Sequence, residues 1–180
     1  MRNNTGDYNT AFGRQALLKG SNGNNVAIGN NTMVCLTTGH CNTSVGSGAG
    51  YYTTSGVYNT FVGMNSGQNN SSASRNTALG FYSLRAATTA AYNTSSGAYA
   101  LGSATTGGDN AAFGYKALTA ITTGGCNTAL GSRAGDAITT QTNTITIGAN
   151  AVSCGSNTTV IGNSSTTCTY ITSPLHACTS

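Results

Sequence analysis

Glutamate is absent from this chain, proline occurs once, at Pro174, and charged residues make up only 6% of its 180 positions. With Asp7, Asp109 and Asp136 as the only acids, a paired-carboxylate active site has little to draw on. The cations Arg2, Arg14, Lys19, Arg75, Arg85, Lys116 and Arg133 are spread thinly and never cluster, which argues against a nucleic-acid partner. No apolar run is long enough for a membrane-spanning helix, so membrane insertion by helix is excluded. Met1 to Tyr8 holds no apolar h-region of a secretory signal, so the expectation is assembly inside a cell or derivation from a longer chain. So little charge with so much Gly, Ser, Asn and Thr could mean disorder. A strict repeat says otherwise.

The unit is clearest at Asp109 to Gly125, after which Cys126 starts it again with Cys-Asn-Thr-Ala-Leu-Gly. Its marker glycines are Gly13, Gly29, Gly46, Gly63, Gly80, Gly97, Gly114, Gly131, Gly148 and Gly162, spaced by 16, then by 17 seven times, then by 14. Such regularity means stacked units, each hiding its apolar face against its neighbours. A helical hairpin repeat needs about 30 residues, and the Gly, Thr, Asn and Ser content disfavours helix. The expected fold is all-β: a parallel β-solenoid, or β-roll, of about ten rungs of ~17 residues. Two short strands and two turns would fit each rung, and stacking at about 4.8 Å gives a rod on the order of 45 to 50 Å long. Residues 1–7 read as a lead-in and 8–171 as the solenoid. After Ile171, Pro174 cannot donate to a ladder, so residues 172–180 read as a tail or cap.

Within the unit, Asn9, Asn25, Asn42, Asn59, Asn76, Asn93, Asn110 and Asn127 form one column, an expected amide ladder. Phe12, Ile28, Val45, Val62, Leu79, Phe113, Leu130, Ile147 and Ile161 precede the marker glycine and read as the core column. On the opposite strand face stand small residues such as Ala11, Ala27, Ser44, Ala78, Ser95, Ala112 and Ala129. A parallel strand without a wet face needs cover on both sides. The expectation is therefore parallel association of identical chains, with the Ala and Ser column between subunits. The Thr-Thr-Gly half of each rung, as at Thr37-Thr38-Gly39, reads as a polar ladder facing solvent.

Chemistry-bearing residues are sparse. His40 lies several rungs from Asp109 and Asp136, so no Ser-His-Asp arrangement is expected, nor any enzyme or cofactor. Cys35, His40 and Cys41 lack the paired Cys-x-x-Cys spacing of a metal site. Cys154 and Cys168 read as one column position on adjacent rungs, within disulfide range. Cys41 and Cys126, five rungs apart, cannot join within a chain. Asn-x-Ser/Thr sequons fall at Asn3, Asn30, Asn42, Asn69, Asn70, Asn93, Asn157 and Asn163. Tyr51, Tyr52, Phe81, Tyr82, Tyr99 and Tyr115 fall at or after turns and are the candidate surface contacts, since aromatic faces stack on sugars and on partner surfaces.

Asn25-Val-Ala-Ile-Gly29 and Asn157-Thr-Thr-Val-Ile-Gly162 resemble the Asn-x-Val-Ala-Ile-Gly repeats in the heads of YadA-type trimeric adhesins. The stretch from Thr159 to Ile171 resembles repeats that precede the chaperone domain of phage tail fibres, and Asn127 to Gly131 is similar to units of phage and giant-virus fibre proteins. This resemblance implies a left-handed, trimeric roll. The expected function is a structural fibre segment of a virion tail fibre or a cell-surface adhesin, giving a rigid shaft and multivalent host attachment. Its expected partners are further copies of the chain and a host-surface glycan or protein receptor. A self-assembling extracellular filament is the alternative, and an ice-binding solenoid a lesser one.

Overall fold

The computed structural model describes residues 6–19 and 22–168. Ten strands follow one another: β1 (Thr10–Phe12), β2 (Val26–Ile28), β3 (Thr43–Val45), β4 (Thr60–Val62), β5 (Thr77–Leu79), β6 (Thr94–Ser96), β7 (Ala111–Phe113), β8 (Thr128–Leu130), β9 (Ile145–Ile147) and β10 (Thr159–Ile161). They form a single sheet in chain order, every neighbouring pair parallel and in register, as Thr77 opposite Thr94 and Leu79 opposite Ser96 show. No helix occurs among the described residues. The chain is a β-solenoid with one strand per rung.

Only one of the two expected strands forms, because the marker glycine ends it and turns take over. Gly97 has φ +141, and a Cβ there would lie 2.4 Å from the carbonyl oxygen of Gly114 on the next rung. Overlapping turns follow: Ala100 N–H donates to the Gly97 carbonyl, Gly102 to Tyr99, and Ala104 to Leu101. Tyr99 and Leu101, third residues of the first two turns, have φ of 60° and 50°, as type II turns demand. Left-handed backbone costs a leucine roughly 1 to 2 kcal/mol. Burying its side chain returns about 1.5 to 3 kcal/mol, so the site is tolerable for Leu where it would not be for Ser.

These turns aim Leu17, Met33, Leu84, Leu101 and Leu118 into the lumen, where they are fully buried. Leu36, Ile121 and Ile138 enter from the next turn. Little space is left at the strand. Its middle residue faces inward, so Ala27, Ser44, Ala78, Ser95, Ala112, Ala129 and Thr146 are buried there. The expected core column is thereby corrected. Phe12, Ile28, Val62, Leu79, Phe113, Leu130 and Ile161 are exposed, and Val45 and Ile147 are half-buried. The Ala and Ser column belongs to each coil's own interior, so it does not pack between subunits.

β4 carries the exception. Phe61 is fully buried at the inward position, and the two leucine sites nearest it are glycines, Gly50 and Gly67. A Cβ at Gly67 would sit 2.5 Å from the Phe61 ring, and one at Gly50 3.1 Å from it. The ring fills the volume those missing side chains leave.

The asparagine column is the internal strut. Asn42 Oδ1 accepts both the backbone N–H and the Nδ2–H of Asn59, each at 3.0 Å. Asn59 Nδ2 also donates to the Ala73 carbonyl at 2.9 Å, tying the strand side of its coil to the far corner. The same pattern runs from Asn25 to Asn127, all buried. It ends at Thr144, whose N–H and hydroxyl both reach Asn127 Oδ1. Asn143 and Asn157 stand one position earlier, outside the ladder, bonded to each other at 2.9 Å.

At the opposite corner the Thr-Thr-Gly sequence has a specific use. Thr37, Thr38 and Gly39 all point their N–H groups at the Thr54 carbonyl, at 2.9, 3.1 and 3.2 Å, and the Thr37 hydroxyl joins them at 3.0 Å. The second residue of each pair, as Thr38, Ser55, Thr89, Thr106 and Thr123, is exposed.

Two stability outcomes follow. Phe61→Ala should cost about 3 to 5 kcal/mol by denaturant unfolding, because both flanking positions are glycine and cannot close the void. Asn93→Asp, nearly isosteric, removes the crossing donor and buries a carboxylate, so thermal denaturation should show a loss of several kcal/mol, well above that of Thr106→Ala.

Candidate binding surface

The first and third residues of each strand point away from the lumen, and the chain's exposed apolar side chains gather around them. Among the described residues sixteen large hydrophobic side chains are exposed. Eight lie on strands, three (Tyr8, Tyr58, Tyr92) two residues before one, and two (Met64, Tyr115) two residues after one. Only Tyr52, Tyr99 and Val152 lie elsewhere. The result is a ribbon of apolar and threonine side chains along the whole sheet, with β3 giving Thr43 and Val45, β5 Thr77 and Leu79, and β8 Thr128 and Leu130.

On one flank Arg75 lies between two tyrosines. Its guanidinium carbon is 5.7 Å from the Tyr58 ring centre and 5.3 Å from that of Tyr92, and Nη1 donates to the Tyr92 hydroxyl at 2.9 Å. The His40 ring meets Tyr58 edge-on at 5.7 Å. Tyr58, Arg75 and Tyr92 were not among the sequence candidates. Their common spacing of 17, directly before the asparagine column, was the available signal. On the other flank Phe81, Tyr82, Tyr99 and Tyr115 come together. Tyr82 stacks on Tyr99 at 5.6 Å, Phe81 packs edge-on against both, and Tyr99 meets Tyr115 at 6.3 Å. Tyr51 and Tyr52 form a separate edge-on pair at 4.6 Å. Four of the six aromatic candidates therefore make one cluster.

Comparison with family models, with curated proteins and with solved structures returns no match. The surface must be read from its own chemistry.

Among the described residues no three His, Cys, Asp or Glu side chains gather where they could hold a metal ion. Cys35 and Cys41 are half-buried free thiols, and Cys126, Cys154 and Cys168 are exposed free thiols. Cys154 and Cys168 are thus unbonded in the structure. Of the sequons, Asn42, Asn70 and Asn93 are buried, Asn30 and Asn157 exposed, Asn69 and Asn163 half-buried, and Asn3 lies outside the described residues.

A thiol reagent applied to the folded protein should modify Cys126, Cys154 and Cys168 before Cys35 and Cys41, because reactivity follows exposure of the thiolate. Peptide mapping after brief labelling reads the order. Protection of Cys154 and Cys168 that is lifted by reductant would show a bond between them instead.

Proposed function

We propose that the chain is a rigid fibre segment that works as a parallel homotrimer, in a tail-fibre-like or adhesin-like attachment structure. The observation that carries this reading is the outer face of the sheet, where the third residue is a bulky apolar side chain on nine of the ten strands, Ser96 on β6 being the exception. Nine steps between ten strands make it about 43 Å long, at about 4.8 Å per step. With its flanking columns it is ~20 Å wide, so its area is on the order of 850 Å², close to the ~800 Å² that each partner buries in a standard interface. Monomers rarely leave a row of bulky apolar side chains of this length in water. A threefold axis along the rod brings each rung against its equals in the other chains, so the repeat stays in register over the full length. Threonine at the first position of seven of the ten strands supplies hydroxyls where neighbouring sheets meet.

Function then comes from shape. Three thin coils sharing an axis make a stiff shaft with almost no charge and few flexible loops. Each weak contact on its outside is offered three times, and threefold display raises attachment strength through effective concentration. A self-assembling filament is the second reading, favoured by the strand ends of the sheet: β1 and β10 each pair on one side only among the described residues.

Sedimentation equilibrium should give three times the chain mass. Leu79→Asp with Leu130→Asp should give a soluble monomer that keeps its β circular dichroism, whereas Leu101→Asp should unfold the coil. A wild-type chain that stays monomeric at micromolar concentration would overturn the trimer, and polymers of indefinite length would favour the filament.

A further inference from the structure

The cluster on the second flank continues as a line of cations that nothing in the fold requires. Tyr82, Tyr99, Lys116 and Arg133 occupy one position on four successive rungs, their N–H groups bonding to the rung before in the same way. Lys116 Nζ sits 5.8 Å from the Tyr99 ring centre and 5.4 Å from that of Tyr115, and the Arg133 guanidinium carbon 6.0 Å from Tyr115. Arg85 extends the line over Tyr82 at 4.9 Å, its Nε–H donating to Gln68 Oε1 at 3.3 Å. None of these three cations carries an ion pair among the described residues. The cations are held over ring faces and left without anions. Tyr99, Lys116 and Arg133 also have φ of 60°, 57° and 56°, a conformation that long side chains adopt only at a cost. Folding does not call for these residue types here, because Asn31, Gly48 and Asn65 fill the same position on earlier rungs.

We propose that this strip binds an acidic glycan, a linear sugar polymer bearing carboxylates or sulfates. Lys116 and Arg133 lie one rung apart, about 4.8 Å along the rod, and Arg85 lies two rungs before Lys116, a spread that matches anions spaced along an extended polymer. The tyrosine hydroxyls project at the ring edges, where they meet sugar hydroxyls. Clamping each cation over a ring lowers the entropy lost when an anion arrives. Single-stranded nucleic acid is the poorer fit, since base stacking needs free aromatic faces, and here the faces are taken by Arg85, Lys116 and the neighbouring rings. The inference deepens the attachment reading above by naming a ligand class, yet a single chain already carries the whole strip.

The test measures binding of a heparin oligosaccharide, of polygalacturonate, of neutral dextran and of a single-stranded oligonucleotide of matched charge, with oligomer mass read on the same samples. Either or both acidic glycans should bind, more weakly as salt rises, and dextran should not. Lys116→Gln with Arg133→Gln should weaken binding by about tenfold or more, as loss of two charge-assisted contacts requires. Tyr99→Asn keeps every charge and suits the left-handed backbone, so weaker binding there would show that the ring positions the ammonium. Arg85→Gln gives an independent check, and circular dichroism confirms folding of each variant. Equal binding of dextran, tighter binding of the oligonucleotide, no binding of either acidic glycan, or full binding by the double variant would overturn the site. Glycan binding by a protein that sediments as a monomer would uphold the strip and overturn the trimer.

Discussion

Everything in this structure depends on one requirement: each rung must offer the next the same hydrogen-bonding groups in the same place. The asparagine column meets it from inside, where Asn93 Oδ1 takes the N–H and Nδ2–H of Asn110 at 3.0 and 3.1 Å while Asn93 Nδ2 reaches the Gly107 carbonyl at 3.1 Å. The corner carbonyls meet it from outside, where one oxygen serves three successive N–H groups and a hydroxyl. Buried polar groups left unpaired are costly in so thin a body, and stacking pairs the asparagine amides rung by rung, while the inward Ser44 and Thr146 hydroxyls stay without a partner among the described residues. A single rung has no such partners, and so the fold exists only as an array.

That requirement also limits the interior. Bonds between rungs hold the backbone in a tight loop, and on five rungs the turns already place a leucine or methionine side chain in the lumen. The strand can then add only Ala, Ser or Thr. Where Gly50 and Gly67 vacate the leucine site, Phe61 enters from the strand. Volume is conserved locally even though the residue types change, as a close-packed core demands. The bulky column before the marker glycine therefore has to stand outside.

An apolar column forced outward changes what the molecule is suited to do. It turns a self-sufficient backbone stack into a body with one largely apolar face, and in the trimer proposed above further copies of the same chain would cover it. Flanking that face, the two tyrosine and cation columns occupy its rim. Arg75 lies between two rings and donates a hydrogen bond to the Tyr92 hydroxyl, whereas Lys116 and Arg133 approach ring faces with no side-chain hydrogen bond among the described residues.

The sequence by itself determined the period, the parallel all-β stack, the asparagine column and the neighbourhood of Phe81, Tyr82, Tyr99 and Tyr115, because a repeat maps equivalent residues onto one line whatever the coil's cross-section. It also held a clue to the inward face: Asn93 and Ser95 share parity along the strand, so a buried amide column carries Ser95 inward and Ser96 outward. Hydrophobicity pointed the other way. Alternation tells which residues share a face, and the larger apolar set looked like the core. Only the tertiary structure decided which side was the lumen, because that depends on how much space the left-handed leucines of the turn half occupy, and positive φ at Leu84, Leu101 and Leu118 is not legible from residues that usually avoid it. The same holds for the cations: a spacing of 17 aligned Tyr99, Lys116 and Arg133, but their placement over ring faces follows from the curvature of the turn, which no linear pattern encodes.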